Sequence, residues 1–310
     1  MIKKVGTIAL LGLVLLLVSI FGSWYSQGHQ VEPNKDTSSI EGLYDSTRFD
    51  NARSVLMPNK LDFAGEKVPL DNIDVYERMD RELLINTYWH TNSILMLKRA
   101  HRWLPIIAQE LEKEGVPDDF KYIVAIETNF SNDTSPRGAV GFWQFLKGAG
   151  LENGLEITDE VDERYDPVKA TRAAANYLNH SYKKFGSWTM AAASYNRGVT
   201  GMLKAIEHQK ESDYYKLLLN EETARYLFRI LAAKLILENP EQYGFLFDTK
   251  DLYQPYETDT VEVTQTIPSL VDWAQEHSLS YRQLKKYNPW LREDRLTVMS
   301  GKTYKIYLPK

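Results

Sequence analysis

The chain has 310 residues, of which 43% are hydrophobic and 25% are charged. This is the composition of a folded globular protein, and it excludes disorder as the main state. The formal net charge of −5 lacks the basic excess of a nucleic-acid-binding protein, so no nucleic-acid partner is expected. The absence of cysteine excludes disulfides, thiol nucleophiles and thiolate metal sites. The six histidines lack the close spacing of metal ligands, and neither a metal nor a cofactor is predicted.

Residues 1–24 are predicted to form a membrane anchor or a signal segment. Lys3 and Lys4 precede an uncharged run from Val5 to Gly22. As a helix, this run would span about 27 Å, close to the hydrocarbon core of a bilayer. Bulky residues interrupt the small-residue pattern of a cleavage site, which favours an uncleaved anchor with its basic flank in the cytoplasm. A cleaved signal is the alternative.

The rest of the chain divides into four parts by composition and hydrophobic pattern. Residues 25–74 are polar and rich in turn-forming residues, which predicts a spacer with little fixed structure. Residues 75–245 have helical patterns, with helix starts marked by Pro117, Asp166 and Asn220. After a linker over 246–258, residues 259–310 are predicted to form a strand, two short helices and a second strand. The expected fold class is mainly α, with a small βααβ domain.

The candidate acid is Glu127, which follows an apolar helical run. A helix that starts near Pro117 would end near Thr128 and place Glu127 in its last turn, where the helix dipole disfavours negative charge. Ile123 and Val124, one turn earlier, would desolvate the carboxyl. Both effects raise its pKa and suit general-acid cleavage of a glycosidic bond. A solvated glutamate at a helix end is the alternative.

A glycine-rich segment follows, from Gly141 to Phe145. Trp143 offers an apolar surface for a sugar ring, and the Gln144 amide can both donate and accept hydrogen bonds. The alternative is a loop that packs its rings into the core, which is favoured for Phe142 and Phe145.

The segment from Ala193 to Gly198 ends another predicted helix. The Tyr195 hydroxyl can hold a catalytic carboxyl in one rotamer, and the Asn196 amide can bind a sugar N-acetyl group. Asn and Gly are also common at helix C-termini, so a simple cap is the alternative, and the two interpretations are compatible.

In order along the chain, Glu127-Thr128, Gly141-Phe142-Trp143-Gln144, Tyr195-Asn196-Arg197-Gly198 and Glu222-Thr223-Ala224-Arg225-Tyr226 resemble the motifs of family 1 lytic transglycosylases. The segment from Val161 to Pro167 is similar to one typical of the membrane-bound lytic murein transglycosylase D branch. The resemblance covers about residues 75–245 and implies a goose-lysozyme-like helical catalytic domain. Residues 259–310 resemble a LysM module, with Ile267-Pro268-Ser269 in place of its usual Gly-Asp-Thr turn.

The resemblance implies cleavage of the β-1,4 bond between N-acetylmuramic acid and N-acetylglucosamine in peptidoglycan, leaving 1,6-anhydro ends. Glu127 would be the single general acid and base. By motif position, Thr128, Gln144 and Asn196 would contact the glycan. Tyr195 and Tyr226 would line the cleft, and one of them would orient Glu127.

The partners implied are peptidoglycan glycan strands and, through the apolar run of residues 5–22, the inner membrane. The chain would then lie on the periplasmic side of the cell envelope. Whether the LysM-like module binds glycan is left open.

Two other functions are open at this point. A lysozyme-like hydrolase on the same scaffold would need a second carboxylate, for which Asp133, Asp159 and Asp162 are candidates, although Asp162 is more simply part of an Asp-Glu-Arg surface network. A catalytically silent protein that tethers peptidoglycan to the membrane is the other alternative.

Overall fold

The computed structural model describes residues 53–310. The predicted anchor and the first part of the predicted spacer lie outside the described residues. Within residues 53–310, no helix is long and apolar enough to cross a membrane.

The described chain opens with a small hairpin in which β1 (Asp62–Phe63) pairs antiparallel with β2 (Glu66–Lys67). Phe63 is fully buried in the main hydrophobic core. The Glu66 carboxylate accepts hydrogen bonds from the backbone N–H groups of Trp188 and Thr189, at 2.6 and 2.9 Å. The prediction of a spacer with little fixed structure is therefore wrong for residues 53–74, because the hairpin packs into the core and caps a distant helix.

Residues 53–245 contain eight α-helices. They are α1 (Ile73–Tyr88), α2 (His90–Lys113), α3 (Ile123–Thr128), α4 (Lys147–Glu152), α5 (Pro167–Phe185), α6 (Trp188–Arg197), α7 (Val199–Gln209) and α8 (Glu221–Glu238). Short 3-10 helices cover Asp118–Tyr122, Glu163–Tyr165, Tyr214–Lys216, Pro240–Tyr243 and Thr249–Asp251.

The helix ends follow the capping chemistry of the sequence. The Asp166 carboxylate accepts from the N–H groups of Val168 and Lys169, which starts α5, and Gly186 ends this helix with a φ of 68°. Asn220 precedes α8 as predicted, but its Oδ1 accepts from the Arg197 guanidinium and lies 2.9 Å from the Thr223 hydroxyl oxygen. A side-chain hydrogen bond therefore replaces the usual backbone cap at this start.

Helix α8 lies at the centre of the core. Its inner residues are apolar and fully buried, and it packs against α1, α3 and α6. Such a helix has no solvent-facing stripe along its middle, which explains why apolar residues there do not follow a simple one-face pattern. It brings residues 222–229 beside the C-terminal end of α3.

The C-terminal part has its own small core. Strands β3 (Thr258–Val263) and β4 (Tyr304–Pro309) pair antiparallel, with Thr258 opposite Pro309 and Val263 opposite Tyr304. Between them lie α9 (Leu270–Glu276) and α10 (Tyr281–Tyr287). The predicted mainly α fold with a βααβ domain is confirmed.

The small core is completed from the helical part of the chain. Val161 is 2% exposed and packs in the same cluster as Leu270, Leu284 and Ile306. The backbone continues the contact, since the Asp162 N–H donates to the Trp290 carbonyl at 2.9 Å. The segment around Val161 is therefore shared between the two parts.

Ion pairs and hydrogen bonds surround this shared segment. Glu160 pairs with Arg295 at 2.7 Å and accepts from the Thr297 backbone N–H at 2.7 Å. Glu156 accepts from the Tyr304 hydroxyl at 2.9 Å and pairs with Lys302 at 2.5 Å. The predicted linker also lies against the helical part, where the Tyr253 N–H donates to the Lys98 carbonyl at 3.1 Å. The C-terminal domain is thus docked along several contacts.

Candidate active site

The site begins with the end of α3. The 3-10 turn of Asp118–Tyr122 leads directly into α3, whose residues Ile123, Val124 and Ala125 are buried. Asn129 ends the helix in the left-handed region, with a φ of 52°, and donates its N–H to the Ala125 carbonyl. The helix therefore ends where the sequence predicts, and Glu127 lies in its last turn.

Glu127 lines a groove with a volume of about 1040 Å³. This is large for a single small ligand and suits an extended one. The walls come from α1, α2, α3, α8 and the loop after α3. The polar residues along them include Glu82, Asn86, Asn92, Arg99, Asp133, Glu222, Arg225 and Arg229.

The carboxyl of Glu127 is held by Tyr226 of α8. The Tyr226 hydroxyl donates to Oε1 of Glu127 at 2.6 Å, and the tyrosine side chain is fully buried. A short bond from a side chain that cannot move fixes the carboxyl in one rotamer and leaves its second oxygen for other partners. Tyr226 is therefore the tyrosine that orients Glu127.

The surroundings of Glu127 favour its protonated form. Burial raises the pKa of its carboxyl above the ordinary value, while the Tyr226 hydrogen bond and the Arg229 charge lower the pKa and the nearby Glu222 charge raises it. The net shift is upward, the direction that the sequence predicts. The Arg229 guanidinium donates to the Ile126 carbonyl at 2.6 Å, so one of its N–H groups is used at the helix end. A carboxyl with a raised pKa stays protonated to higher pH than an ordinary glutamate and can act as a general acid.

Tyr195 has a different place from the one expected. Its hydroxyl donates to the backbone carbonyl of Trp143 at 2.7 Å, and its ring contacts Trp143, Phe145 and Tyr177 edge-on. Neither Tyr195 nor Tyr226 is among the residues that line the groove. Tyr226 contacts Glu127 from the core and Tyr195 holds the Gly141–Phe145 segment, so a role for either tyrosine in lining the cleft stays a prediction.

Trp143 is not a surface for a sugar ring. Its side chain is fully buried, and its Nε1–H donates to the Thr171 hydroxyl at 2.8 Å. The alternative of a core-packed ring, favoured only for Phe142 and Phe145, holds for all three aromatic residues. Gly141 makes the packing possible, since its φ is 76° and a Cβ there would lie 1.9 Å from the Arg164 carbonyl oxygen.

The hydroxyl of Thr128 and the amide of Gln144 are both used inside the protein. Thr128 is 8% exposed, and its Oγ1 lies 3.4 Å from the Val124 carbonyl and 3.3 Å from the Phe142 carbonyl. The Gln144 amide nitrogen donates to the carbonyl of Gly141 at 2.9 Å and to that of Asp133 at 3.1 Å. Thr128 lies at the groove, whereas Gln144 closes its own loop.

Asn196 is joined to the start of α8. Its amide nitrogen donates to Oε1 of Glu222 at 3.0 Å, and its oxygen accepts from the Thr223 hydroxyl at 2.7 Å. Asn196 therefore fixes Glu222, which lines the groove and acts on Glu127 through its charge. Of the six predicted site residues, Glu127 and Thr128 lie at the groove, and the other four lie around it.

The three candidate second carboxylates differ in whether they lie at the groove. Asp133 lines the groove, whereas Asp159 and Asp162 do not. Asp162 is 7% exposed and binds Arg164 through two hydrogen bonds of 2.9 and 2.7 Å. The Asp162–Arg164 part of the predicted network is present but buried, whereas the Glu163 side chain pairs with Lys169.

Sequence reasoning missed the roles of Glu222 and Arg229. Together with Tyr226 they have the spacing i, i+4 and i+7, which places three side chains on one face of a helix. This spacing could have joined them to the acid, but nothing in the sequence says that α8 crosses the end of α3.

Comparison with known proteins agrees with this arrangement. Residues 105–218 match the transglycosylase SLT domain, and residues 259–310 match the soluble lytic transglycosylase C-terminal LysM-like domain. The membrane-bound lytic murein transglycosylase D of Escherichia coli strain K12 is 26% identical over 313 aligned residues, which cover 96% of this chain and 67% of that protein. A putative tributyltin chloride resistance protein of Alteromonas sp. strain M-1 is 32% identical over 36% of this chain and 55% of its own length.

The matched SLT region contains Glu127 at the groove, together with Gln144, Tyr195 and Asn196, while Tyr226 lies beyond it on α8. The LysM-like match covers the βααβ domain. The chain is a lytic transglycosylase, with a lysozyme-like SLT domain followed by a C-terminal LysM-like domain.

Proposed function

We propose that the chain cleaves the β-1,4 bond between N-acetylmuramic acid and N-acetylglucosamine of peptidoglycan without water, with Glu127 as the single general acid and base. The observation that carries this proposal is a carboxyl of raised pKa, oriented by Tyr226, on a groove of about 1040 Å³. The 26% identity with a lytic murein transglycosylase over 96% of the chain supports the substrate class.

In this mechanism Glu127 first gives its proton to the glycosidic oxygen, and the bond from C1 of the muramic sugar to that oxygen breaks. The Glu127 carboxylate then takes the proton of the C6 hydroxyl of the same sugar. The C6 oxygen forms a bond to C1, which closes a 1,6-anhydro ring. The attacking group belongs to the substrate, so its effective concentration is high and the protein supplies no nucleophile.

The acid must regain and lose a proton in each turnover, and its surroundings suit both steps. Burial favours the neutral acid before cleavage. The Tyr226 hydroxyl stabilises the carboxylate after cleavage, because it donates a hydrogen bond to the oxygen on which charge develops.

Hydrolysis is the second candidate, and one observation favours it. Asp133 and Glu222 both line the groove with Glu127, and a second carboxylate could activate water. Glu222 is already engaged by the Asn196 amide, whereas a base would need its oxygens directed at water. Asp133 is then the carboxylate that a hydrolase would use, and the single-carboxylate mechanism is preferred because of the similarity to a lytic murein transglycosylase.

By the same proposal the protein acts in the cell envelope, where its substrate is found. The predicted anchor at residues 5–22 lies outside the described residues and stays a prediction. Glycan binding by the LysM-like domain is likewise a proposal, supported by the family match at residues 259–310.

The test is digestion of purified peptidoglycan by the full chain, with Glu127→Gln as the control and mass spectrometry as the readout. We expect products one water lighter than reducing-end muropeptides, and none from the variant. Reducing ends would establish the hydrolase. Wall binding without cleavage by the folded wild type would favour the silent tether, and equal cleavage by Glu127→Gln would refute the catalytic role of Glu127.

A further inference from the structure

Trp89 stands at the corner between α1 and α2, and its side chain is 61% exposed while lining the same groove as Glu127. Tryptophan is usually well buried, and Trp143 and Trp290 of this chain are 0% and 2% exposed. An indole that stays in solvent on a groove wall forgoes the free energy of burial unless a ligand covers it.

The corner that carries Trp89 is firmly held. The Trp89 N–H donates to the Ile85 carbonyl at 3.0 Å, and its carbonyl accepts from the Ser93 N–H at 3.0 Å. Ser93 is fully buried and donates its hydroxyl to the Asn86 carbonyl. The indole is therefore exposed because the backbone presents it there, and not because a helix end frays.

The corner is also joined to the segment that carries the acid. The Asn129 amide nitrogen donates to Oδ1 of Asn92 at 2.9 Å and to the Asn92 carbonyl at 3.1 Å. Asn129 follows Glu127 by two residues, and its own carbonyl accepts from Arg99 at 3.0 Å. Trp89 and Glu127 thus belong to one hydrogen-bonded frame, which fixes the distance between them.

The chemistry around Trp89 suits a sugar ring. Ile85, which is 38% exposed, adds a second apolar surface on the groove, and Asn86 and Asn92 place polar side chains along it. A pyranose has an apolar C–H face and a rim of hydroxyl and N-acetyl groups. Of the charged groups on the groove, Glu82 and Arg225 pair with each other at 2.6 Å.

We propose that Trp89 is the stacking surface of an outer subsite, which binds an N-acetylhexosamine ring of the glycan strand away from the bond that is cleaved. This inference rests on the proposed function and adds a reason for preferring longer strands. A strand that reaches Trp89 buries the indole, and a shorter one leaves it in water.

The experiment measures binding of a chitin hexamer to the full chain in the Glu127→Gln background, which prevents turnover, by calorimetry. Trp89→Ala is expected to weaken binding about tenfold, equivalent to about 1.4 kcal/mol. Trp89→Phe should restore most of the affinity, because a ring remains. Tyr76→Ala is the matched control, since Tyr76 is a 43% exposed aromatic residue on α1 that does not line the groove, and it should bind like the parent.

Circular dichroism on each variant establishes that it is folded. Unchanged hexamer affinity in a folded Trp89→Ala protein would overturn the subsite while leaving the proposed function intact. Failure of the parent to bind any glycan, together with failure of the wild type to cleave peptidoglycan, would refute both. An equal loss in Tyr76→Ala would also overturn the subsite, because the effect would not depend on the groove.

Discussion

Within residues 53–310, the carboxyls of Glu127 and Asp166 have raised pKa values, and they lie in very different places. Glu127 is in the last turn of α3 at the groove, and Asp166 is the first residue before α5, with 4% of its surface exposed. In each, burial is the main cause of the upward shift in pKa. A raised pKa alone therefore does not distinguish an acid that acts on a substrate from one that supports the fold.

The partners of the two carboxyls make the distinction. One oxygen of Asp166 accepts from two backbone N–H groups, at 2.9 and 3.1 Å, and the residue is not part of the groove lining. Glu127 accepts from one tyrosine hydroxyl and faces the groove. Asp166 satisfies a helix end, whereas Glu127 sits where a helix end disfavours its charge and where a substrate can reach it.

The largest expected effect is on the rate of peptidoglycan cleavage, in which variants of Glu127 and Asp166 should differ. Glu127→Gln should lower kcat on peptidoglycan by about 10²–10⁴ or more, because the proton donor is lost. Asp166→Asn should keep nearly full activity, because asparagine caps a helix as well as aspartate does. The measurement is release of soluble muropeptides over time. A comparable loss in both variants would show that burial near α5 also controls the chemistry.

A third buried carboxylate extends the comparison to stability. Asp162 is paired with Arg164, which also donates to the Phe145 carbonyl at 3.1 Å. Arg164→Ala should cost about 3–5 kcal/mol in the free energy of unfolding, because it leaves a buried charge without a partner. Urea denaturation measures the loss. Arg295→Ala, which removes an exposed partner of Glu160, is the control and should cost much less.

The pH dependence of activity should show a smaller effect, with opposite directions in two variants. Activity needs protonated Glu127, so it should fall as the pH rises through the raised pKa of this carboxyl. Tyr226→Phe removes a hydrogen bond that lowers that pKa, so the alkaline fall should move to higher pH. Glu222→Gln removes a charge that raises it, so the fall should move to lower pH. The readout is kcat/KM against pH, and shifts in the same direction would contradict the assignment.

The smallest effect is on stability against pH. The folded pKa of Glu127 lies above the ordinary value of 4.5, so the folded protein binds this proton more tightly than the unfolded chain does. The wild type should therefore lose stability as the pH rises from about 4.5 through the folded pKa, relative to Glu127→Gln. Thermal unfolding at a series of pH values measures the difference.

Glu160→Gln provides the control of opposite sign. The Arg295 hydrogen bond lowers the pKa of Glu160, so its contribution to stability is present above its ordinary pKa and is lost as the pH falls. The wild type should lose stability relative to Glu160→Gln toward acid pH. A Glu127→Gln curve parallel to that of the wild type would mean that the pKa of this carboxyl is the same in the folded and unfolded states.

Much of this fold could be predicted because its signals are local. The start of α5 at Asp166-Pro167, the end of α3 near Thr128 and the alternation in β3 each depend on a few neighbouring residues. The resemblance of motifs to a family also selected Glu127 and Tyr226. Local chemistry and motif order together were sufficient for the architecture and for selecting Glu127, which the structure places at the groove.

The errors arise where a side chain is used by a distant partner. Trp143 is of a residue type that often stacks on sugar rings, but its indole N–H donates to the Thr171 hydroxyl of α5. The hairpin residues Phe63 and Glu66 sit among turn-forming residues, and only the tertiary structure gives them a core and a helix end to cap. These partners depend on how the helices cross one another. The spacing of residues within a single segment does not show where such crossings occur.

The insertion of Val161 into the C-terminal core has a consequence for how the protein handles a long polymer. A module on a flexible tether raises the local concentration of its partner enzyme at the substrate, and this concentration falls as the tether becomes longer than the span between the two binding sites. Here the two parts are joined by a shared core residue and by backbone hydrogen bonds, in addition to the chain between them. If the LysM-like domain binds glycan as proposed, these contacts would restrict how a bound strand enters the groove. The distance between the two binding sites would then determine which bond along the strand lies over Glu127.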